Sequence, residues 1–139
     1  MRVREAMESR VHAVAPGQSI VEAARAMRDA GTGFLPVVDG ARLVGVVTDR
    51  DIVVRFVAEG ADDARAMPVS EIMTSAVTAV GPDDDLAAAA EVMAGAGVRR
   101  LAVVDGGLLV GVLSHGVLVQ ATGCEGAGRA ATLAVTEGA

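Results

Sequence analysis

The residues best suited to hold a small molecule form the motif Thr48-x-x-Asp51. They follow the apolar run 43–47, so they stand where a strand is expected to end and a helix to begin. An ionised aspartate only accepts hydrogen bonds, and it can take two from the adjacent hydroxyls of a sugar. The same residue types at this spacing also form a capping box. The motif therefore indicates either a binding site for a hydroxyl-rich ligand or a structural helix cap.

A second, incomplete copy of the motif lies 66 residues later in the chain. Ser114 keeps the hydroxyl of Thr48, but Val117 replaces the carboxylate of Asp51. Ser114 and the adjacent His115 are therefore predicted to form a degenerate second site, so the chain should bind about one ligand rather than two. The alternatives for His115 are ligand contact, titration near neutral pH, or an ordinary surface position at a helix start.

Arg99 and Arg100 are the only adjacent basic residues in a chain whose formal net charge is −6. Guanidinium groups favour two-point contact with phosphate, which makes the pair a candidate phosphate contact. The alternative is a pair of solvated residues in a loop between a helix and a strand.

The composition limits the other kinds of chemistry. All 12 basic side chains are Arg, which excludes Schiff-base chemistry and a lysine-based phosphate loop. The negative charge and the absence of Trp and Tyr argue against a nucleic-acid surface. His12, His115 and Cys124 are too far apart to show a zinc spacing, so no metal is expected. No carboxylate cluster or nucleophile–histidine motif indicates catalysis, and the prediction is that the protein is not an enzyme.

The chain is a tandem duplication. Residues 3–57 align without a gap on residues 69–123, and 23 of the 55 aligned positions are identical. This pattern indicates one structural unit that occurs twice. The expected divisions are repeat 1 over residues 1–60, a linker over 61–68, repeat 2 over 69–123 and a flexible tail over 124–139.

Both repeats predict the same order of elements. Ser19 is expected to open a helix, with Glu22 completing a capping box, and Asp85 takes the N-cap position in repeat 2. Each repeat is thus a βαββα unit of an α+β fold, and the two should pack as a pseudo-twofold pair to bury their sheet faces. In repeat 1 the expected elements are a helical lead-in at 4–7, strands at 11–14, 34–38 and 42–47, a hairpin turn at 39–40, and helices at 19–31 and 48–59.

Three further features of the sequence are informative. They are Val-Val-Asp-Gly at 37–40 and 103–106, the run Gly45-Val-Val-Thr48-Asp-Arg-Asp51-Ile, and Pro16 and Pro82 ahead of each long helix. On these residues the two repeats resemble cystathionine-β-synthase (CBS) domains, and residues 1–123 resemble a stand-alone CBS pair, or Bateman module. The chain is also similar to small actinobacterial two-CBS proteins associated with hypoxia or dormancy.

The resemblance implies an adenosine-type ligand in a cleft between the repeats, as an effector rather than a required cofactor. It implies that Thr48 and Asp51 hold the ribose and that Arg99 and Arg100 reach the phosphates. It also implies a homodimer. Because no effector domain is recognised in the sequence, output is expected through a separate effector protein, and the alternative is that the protein acts as a ligand buffer. The base would contact residues near the first strand and the first hairpin, namely Val11, His12, Ala13, Phe34 and Pro36.

A cytoplasmic location is expected, because the N-terminus lacks the apolar segment of a signal peptide and no apolar run approaches the roughly 18 residues of a membrane span. The single cysteine, which cannot form an internal disulfide, agrees with this expectation. The main alternative function is a ligand-free dimerisation scaffold or partner-interaction protein, in which Asp51 serves only as a cap. A nucleotide hydrolase and a nucleic-acid binder are disfavoured.

Overall fold

A computed structural model describes residues 1–122 of the chain. Cys124 and the predicted tail at 124–139 lie outside the described residues. The elements in order are α1 (Val3–Ala6), α2 (Ile20–Ala30), β1 (Phe34–Asp39), β2 (Arg42–Thr48), α3 (Asp49–Asp51) continued by a π-helical segment (Ile52–Val57), a 3-10 turn (Val69–Glu71), β3 (Ala79–Val80), α4 (Leu86–Ala96), β4 (Arg100–Asp105), β5 (Leu108–Ser114) and α5 (His115–Thr122).

The described residues form two compact units, whose bounds differ from those of the sequence repeats. The first-repeat unit is His12–Val77, and the second-repeat unit is Met1–Val11 together with the described residues from Thr78 onward. The opening segment of each repeat therefore belongs to the unit built by the other repeat. Residues 61–68, expected to be a linker, are part of the first-repeat unit.

The first-repeat unit is built on the hairpin of β1 and β2. The strands pair antiparallel, with Phe34 opposite Thr48. Gly40 adopts a left-handed conformation (φ 64°) in the turn, which a glycine tolerates without strain. The register of the two strands shifts between Val37 and Val38, which marks a bulge just after Pro36, a residue that cannot donate to a strand ladder. The apolar residues of this unit bury against α2, and the buried set is Val14, Ile20, Ala23, Met27, Leu35, Val37, Val47, Phe56, Val69 and Ile72.

The second-repeat unit repeats this architecture. Strands β4 and β5 pair antiparallel, with Arg100 opposite Ser114, and β3 pairs parallel to β4. Its buried core is Val3, Val80, Leu86, Ala89, Ala90, Met93, Leu101, Val103, Leu113 and Leu118. The duplication in the sequence is therefore a duplication of the hairpin and its packing.

Each hairpin is completed by a lead-in segment, defined as residues 3–8 or 69–74. In the first-repeat unit, the N–H of Val46 donates to the carbonyl of Thr74 (3.0 Å) and the N–H of Thr74 donates to the carbonyl of Val46 (2.8 Å). In the second-repeat unit, Glu8 and Val112 exchange the same pair of bonds at 2.8 and 3.0 Å. The predicted helical lead-in at 4–7 is confirmed as α1, one residue earlier at each end.

The segments around the lead-ins also satisfy the first amides of the long helices. The N–H of Ile20 donates to the carbonyl of Met67 (3.0 Å), and the N–H of Leu86 donates to the carbonyl of Met1 (2.9 Å). Asp85 occupies the predicted N-cap position, but the side-chain capping bond expected from it is not made. The two helices therefore share the backbone contact at the first amide and differ in the side-chain cap, which only α2 has.

Three other sequence predictions need correction. Ser19 does cap α2 by accepting from the N–H of Glu22 (3.1 Å), but the capping box is not completed, because the Glu22 carboxylate accepts from the side chain of Gln18 (3.1 Å). The strand expected at 11–14 is reduced to one bridge, in which Val14 pairs with Val37. The helix expected to reach Glu59 ends at Val57 and has π geometry from Ile52.

The α+β fold class predicted from the sequence is confirmed. Among the helices of residues 1–122, none combines the length and apolarity that crossing a bilayer requires.

Gly45 has no room for a side chain, which predicts a stability effect. A Cβ there would lie 2.7 Å from Sδ of Met73 and 2.9 Å from the carbonyl oxygen of Thr74, and this backbone oxygen cannot move without breaking the bond to Val46. Gly45→Ala should lower the free energy of unfolding by about 1–3 kcal/mol, measured by urea denaturation.

The matched control is Gly95→Ala in α4, where a Cβ would meet no atom within 4 Å. This change should be neutral or raise the free energy of unfolding by up to about 1 kcal/mol, because alanine is the better helix former. Equal effects of the two substitutions would contradict the packing that we assign to Gly45.

Candidate functional site

The Thr48-x-x-Asp51 motif sits where β2 passes into α3, and its two side chains satisfy each other's backbone. The hydroxyl of Thr48 accepts from the N–H of Asp51 (3.1 Å), and Oδ2 of Asp51 accepts from the N–H of Thr48 (2.9 Å). The capping-box interpretation of the motif is therefore confirmed. The box fixes the carboxylate at the end of the strand.

The second carboxylate oxygen of Asp51 remains available to a ligand. Oδ1 lies 3.7 Å from Nε of Arg55, which is an ion-pair distance but too long for a hydrogen bond. Among the described residues, none donates a hydrogen bond to Oδ1. The side chain of Asp51 is 14% exposed, so solvent or a ligand can reach it. A cap that uses one oxygen can thus leave the other to accept hydroxyl groups.

Four of the residues predicted to contact the base belong to the same unit as Asp51. Phe34 is the β1 partner of Thr48, and the N–H of Val14 donates to the carbonyl of Pro36 (3.0 Å), which places His12 and Ala13 just ahead of that contact. His12 and Ala13 are exposed, whereas Pro36 is fully buried. Val11, the fifth residue, falls in the second-repeat unit. Contact of these residues with a base stays a prediction.

The sequence analysis missed Asp49, which packs over Gly33 beside the motif. A Cβ at Gly33 would lie 2.5 Å from Oδ2 of Asp49, so the carboxylate occupies the space that glycine leaves. The N–H of Asp49 also donates to the carbonyl of Gly33 (2.9 Å). The glycine at position 33 was the available signal for this close approach.

The second-repeat unit brings together the other predicted site residues. Arg100 is the β4 partner of Ser114, and the N–H of His115 donates to the carbonyl of Arg99 (2.7 Å). The Ser114 hydroxyl accepts from the N–H of Val117 (3.2 Å), so it still caps its helix. The side chains of Arg99 and Arg100 make no hydrogen bond or ion pair within residues 1–122. They supply two cations at one strand end, and their contact with phosphate stays a prediction.

One shallow depression of about 460 Å³ lies in the first-repeat unit, away from these residues. It is lined by apolar and acidic residues, namely Ala61, Asp62, Asp63, Ala66, Met67, Pro68 and Glu71. Asp63 accepts from the N–H of Ala66 (3.2 Å) and belongs to a turn. None of the residues predicted from the sequence lines this depression. Over residues 1–122, no group of three or more His, Cys, Asp or Glu residues is arranged to hold a metal ion.

The fold and the site together define a class of protein. Two copies of one hairpin-and-helix unit each carry a hydroxyl at the start of the closing helix, and only one copy adds a carboxylate with an open oxygen. These features define a module of two paired repeats.

The chain belongs to the CBS domain family, whose model matches residues 3–58 and 69–122. CBS domain-containing protein YhcV of Bacillus subtilis is 40% identical over 131 residues, which cover 94% of this chain and 92% of YhcV.

Two solved structures share the fold. The structure of CBSX2 in complex with AMP is 30% identical, has a TM-score of 0.76, and is matched over 87% of this chain and 95% of CBSX2. Hypoxic Response Protein I with two coordinated zinc ions is 29% identical, has a TM-score of 0.79, and is matched over 86% of this chain and 98% of that protein. The predicted identity as a tandem CBS protein is confirmed.

The capping role of Thr48 gives a second stability prediction. Thr48→Val keeps the shape of the side chain but removes the acceptor for the Asp51 N–H, so the free energy of unfolding should fall by about 1 kcal/mol. Thr48→Ser keeps the acceptor and should stay within about 0.5 kcal/mol of wild type. Urea denaturation measures both variants. If Thr48→Ser is as unstable as Thr48→Val, the lost methyl group rather than the cap explains the loss.

Proposed function

We propose that this protein is a non-enzymatic regulatory module that binds an adenosine-containing ligand through the ribose. The observation that carries the proposal is the open Oδ1 of Asp51, held at a strand end while Oδ2 is fixed by the Thr48 amide. A fixed carboxylate with one free oxygen suits the paired hydroxyls of a ribose, because it can accept from both without reorganising.

The comparisons support the choice of ligand. CBS-pair proteins commonly serve as regulatory modules, and one structural neighbour is a complex with AMP. In this proposal Thr48 and Asp51 hold the ribose, and Arg99 and Arg100 contact the phosphates. Loss of the carboxylate at Val117 leaves the second copy without a ribose acceptor, so we propose one ligand per chain.

Regulation requires that the ligand change an equilibrium. A ligand shifts a protein between two arrangements only by the difference in its affinity for them. We propose that the adenosyl ligand favours one arrangement of the module and that a separate effector protein, in the cytoplasm, reads this change. No cofactor is required for the proposed function.

A homodimer is the second part of the proposal. The helix that follows Thr48 exposes three valines, with exposed fractions of 58% at Val53, 43% at Val54 and 60% at Val57. A contiguous apolar face at the surface is the usual mark of a protein contact, and a symmetric dimer can bury the same face of both copies.

The completed capping box gives specific support to one alternative, a ligand-free scaffold. In that function Asp51 acts only as a helix cap, because both of its capping bonds are already made within the protein. Ligand binding separates the two functions, since the scaffold predicts none.

A ligand panel tests the proposal. Calorimetric titration of AMP, ADP and ATP should show binding at about one site per chain. Asp51→Ala should weaken binding about ten- to a hundredfold, since the ribose hydroxyls lose a charged acceptor. Circular dichroism confirms that the variant is folded.

The matched control is Ser114→Ala, which removes the corresponding hydroxyl in the incomplete copy. It should change the affinity by less than about threefold, because no carboxylate accompanies that hydroxyl. Two equal sites per chain would contradict the assignment of one intact site. If no member of the panel binds but Asp51→Ala loses about 1 kcal/mol of stability, the scaffold function is favoured.

The dimer is tested by placing a charge on the valine face. Val57→Arg should raise the dimer dissociation constant at least about tenfold, because it places a charge on a methyl surface that the proposed dimer buries. Sedimentation velocity over a range of concentrations measures the change. Leu108→Arg is the control, because Leu108 is also exposed (46%) but lies in the β5 hairpin. An equal effect of both variants would contradict the assignment of the interface.

A further inference from the structure

Arg55 contacts two parts of the first-repeat unit at once. Its Nε lies 3.7 Å from Oδ1 of Asp51, one helical turn earlier. Its Nη1 donates to the carbonyl of Ile72 (3.0 Å) and, at a longer distance, to the carbonyl of Met73 (3.4 Å). The guanidinium therefore joins the ribose-binding carboxylate to the lead-in segment 69–74.

The contacts of Arg55 are compatible with two different roles. Arg55 either holds the lead-in segment in place or holds the Asp51 carboxylate in place. The duplication decides between them, because it supplies a second lead-in segment that docks in the same way. A Cβ at Gly111 would lie 2.7 Å from Sδ of Met7 and 2.9 Å from the carbonyl oxygen of Glu8, the same distances as at Gly45.

The second repeat has Ala121 at the position of Arg55. Within residues 1–122, the carbonyls of Ala6 and Met7, the counterparts of Ile72 and Met73, accept no hydrogen bond from a guanidinium. The Arg4 side chain of that lead-in segment bonds Asp83 instead (2.6 Å). Docking of a lead-in segment therefore does not need an arginine at the position of Arg55. The same repeat has Val117 at the position of Asp51. The arginine is thus present where the carboxylate is present and missing where the carboxylate is missing.

We propose that Arg55 is a positioning residue that holds the Asp51 carboxylate in the orientation that accepts ribose hydroxyls. The carbonyls of Ile72 and Met73 anchor the guanidinium, and its charge fixes the side of the carboxylate that the Thr48 amide does not hold. Arg55 touches the ligand only through Asp51. This inference rests on the proposed ribose site.

The arrangement also explains why Oδ1 of Asp51 can still accept hydrogen bonds from a ligand although it is paired with Arg55. A hydrogen-bonded Arg–carboxylate pair would use the acceptor directions that a ligand needs. At 3.7 Å the guanidinium attracts Oδ1 but does not occupy its lone pairs. The two carbonyl contacts hold the guanidinium at that distance.

The inference is tested with AMP and 2′-deoxy-AMP as probes. Arg55→Met keeps the length of the side chain and removes its charge. It should weaken the binding of AMP about three- to tenfold. It should weaken the binding of 2′-deoxy-AMP by less than about twofold, because this probe offers Asp51 only one hydroxyl. In an Asp51→Asn background, Arg55→Met should have no further effect on AMP.

Arg50→Met is the matched control, because it removes the same charge from the same helix and Arg50 makes no side-chain contact with Asp51 within the described residues. It should weaken the binding of AMP and of 2′-deoxy-AMP equally, and by less than about twofold. The inference would be overturned if Arg55→Met weakened the binding of both probes equally. It would also be overturned if Arg55→Met weakened AMP binding as much in the Asp51→Asn background as in wild type.

Amide hydrogen exchange in the ligand-free protein tests the positioning without a ligand. In Arg55→Met the Thr48 amide, which donates to Oδ2 of Asp51, should exchange several-fold faster than in wild type. The Val46 amide, which donates to the carbonyl of Thr74, should keep its rate. Faster exchange at Val46 with no change at Thr48 would assign Arg55 to the lead-in segment and overturn the inference.

The two proposals fail in different ways. If wild type binds neither probe, the proposed ribose site is wrong. Arg55 then has no role in ligand binding, whatever the exchange rates show. If wild type binds AMP and Asp51→Asn does not, but Arg55→Met binds both probes as wild type does, the ribose site stands and only the inference is overturned.

Discussion

The structure depends on one backbone contact that occurs twice, between a lead-in segment and the second strand of a hairpin. Gly45 and Gly111 have no side chain at this point, which lets a methionine and a backbone carbonyl approach the strand closely. Two hydrogen bonds then join the segments in each unit. Because each lead-in segment precedes one repeat and completes the unit of the other, neither repeat has all its backbone partners within its own stretch of sequence.

This exchange also explains how the long helices begin. The first amides of a helix have no partner within the helix and must be satisfied by another group. Here the carbonyls of Met67 and Met1 accept from Ile20 and Leu86, the first residues of the two long helices. The segments that close the hairpins therefore also fix where the helices start.

The candidate site combines stability and recognition in one carboxylate. Asp51 completes a capping box through Oδ2 and leaves Oδ1 near Arg55 without a hydrogen bond in the described residues. A cap holds the side chain rigid before a ligand arrives, which lowers the entropy cost of binding. The second copy keeps the hydroxyl cap at Ser114 but has neither the carboxylate nor the arginine. The chain thus contains one copy of the fold with the proposed site and one copy without its carboxylate.

The sequence by itself determined the duplication, the α+β class, both hairpins and the capping residues Thr48 and Ser19. These features depend on local periodicity and on residues three or four positions apart, which a linear pattern records. The Asp51–Arg55 pair was also predictable from the sequence, since oppositely charged residues four positions apart on a helix face each other. Only the tertiary structure decided which lead-in segment closes which hairpin, and which distant carbonyl accepts from the first amide of each long helix. Those contacts join residues that are between 28 (Val46 and Thr74) and 104 (Glu8 and Val112) positions apart, and they do so through backbone atoms, which carry no sequence signal.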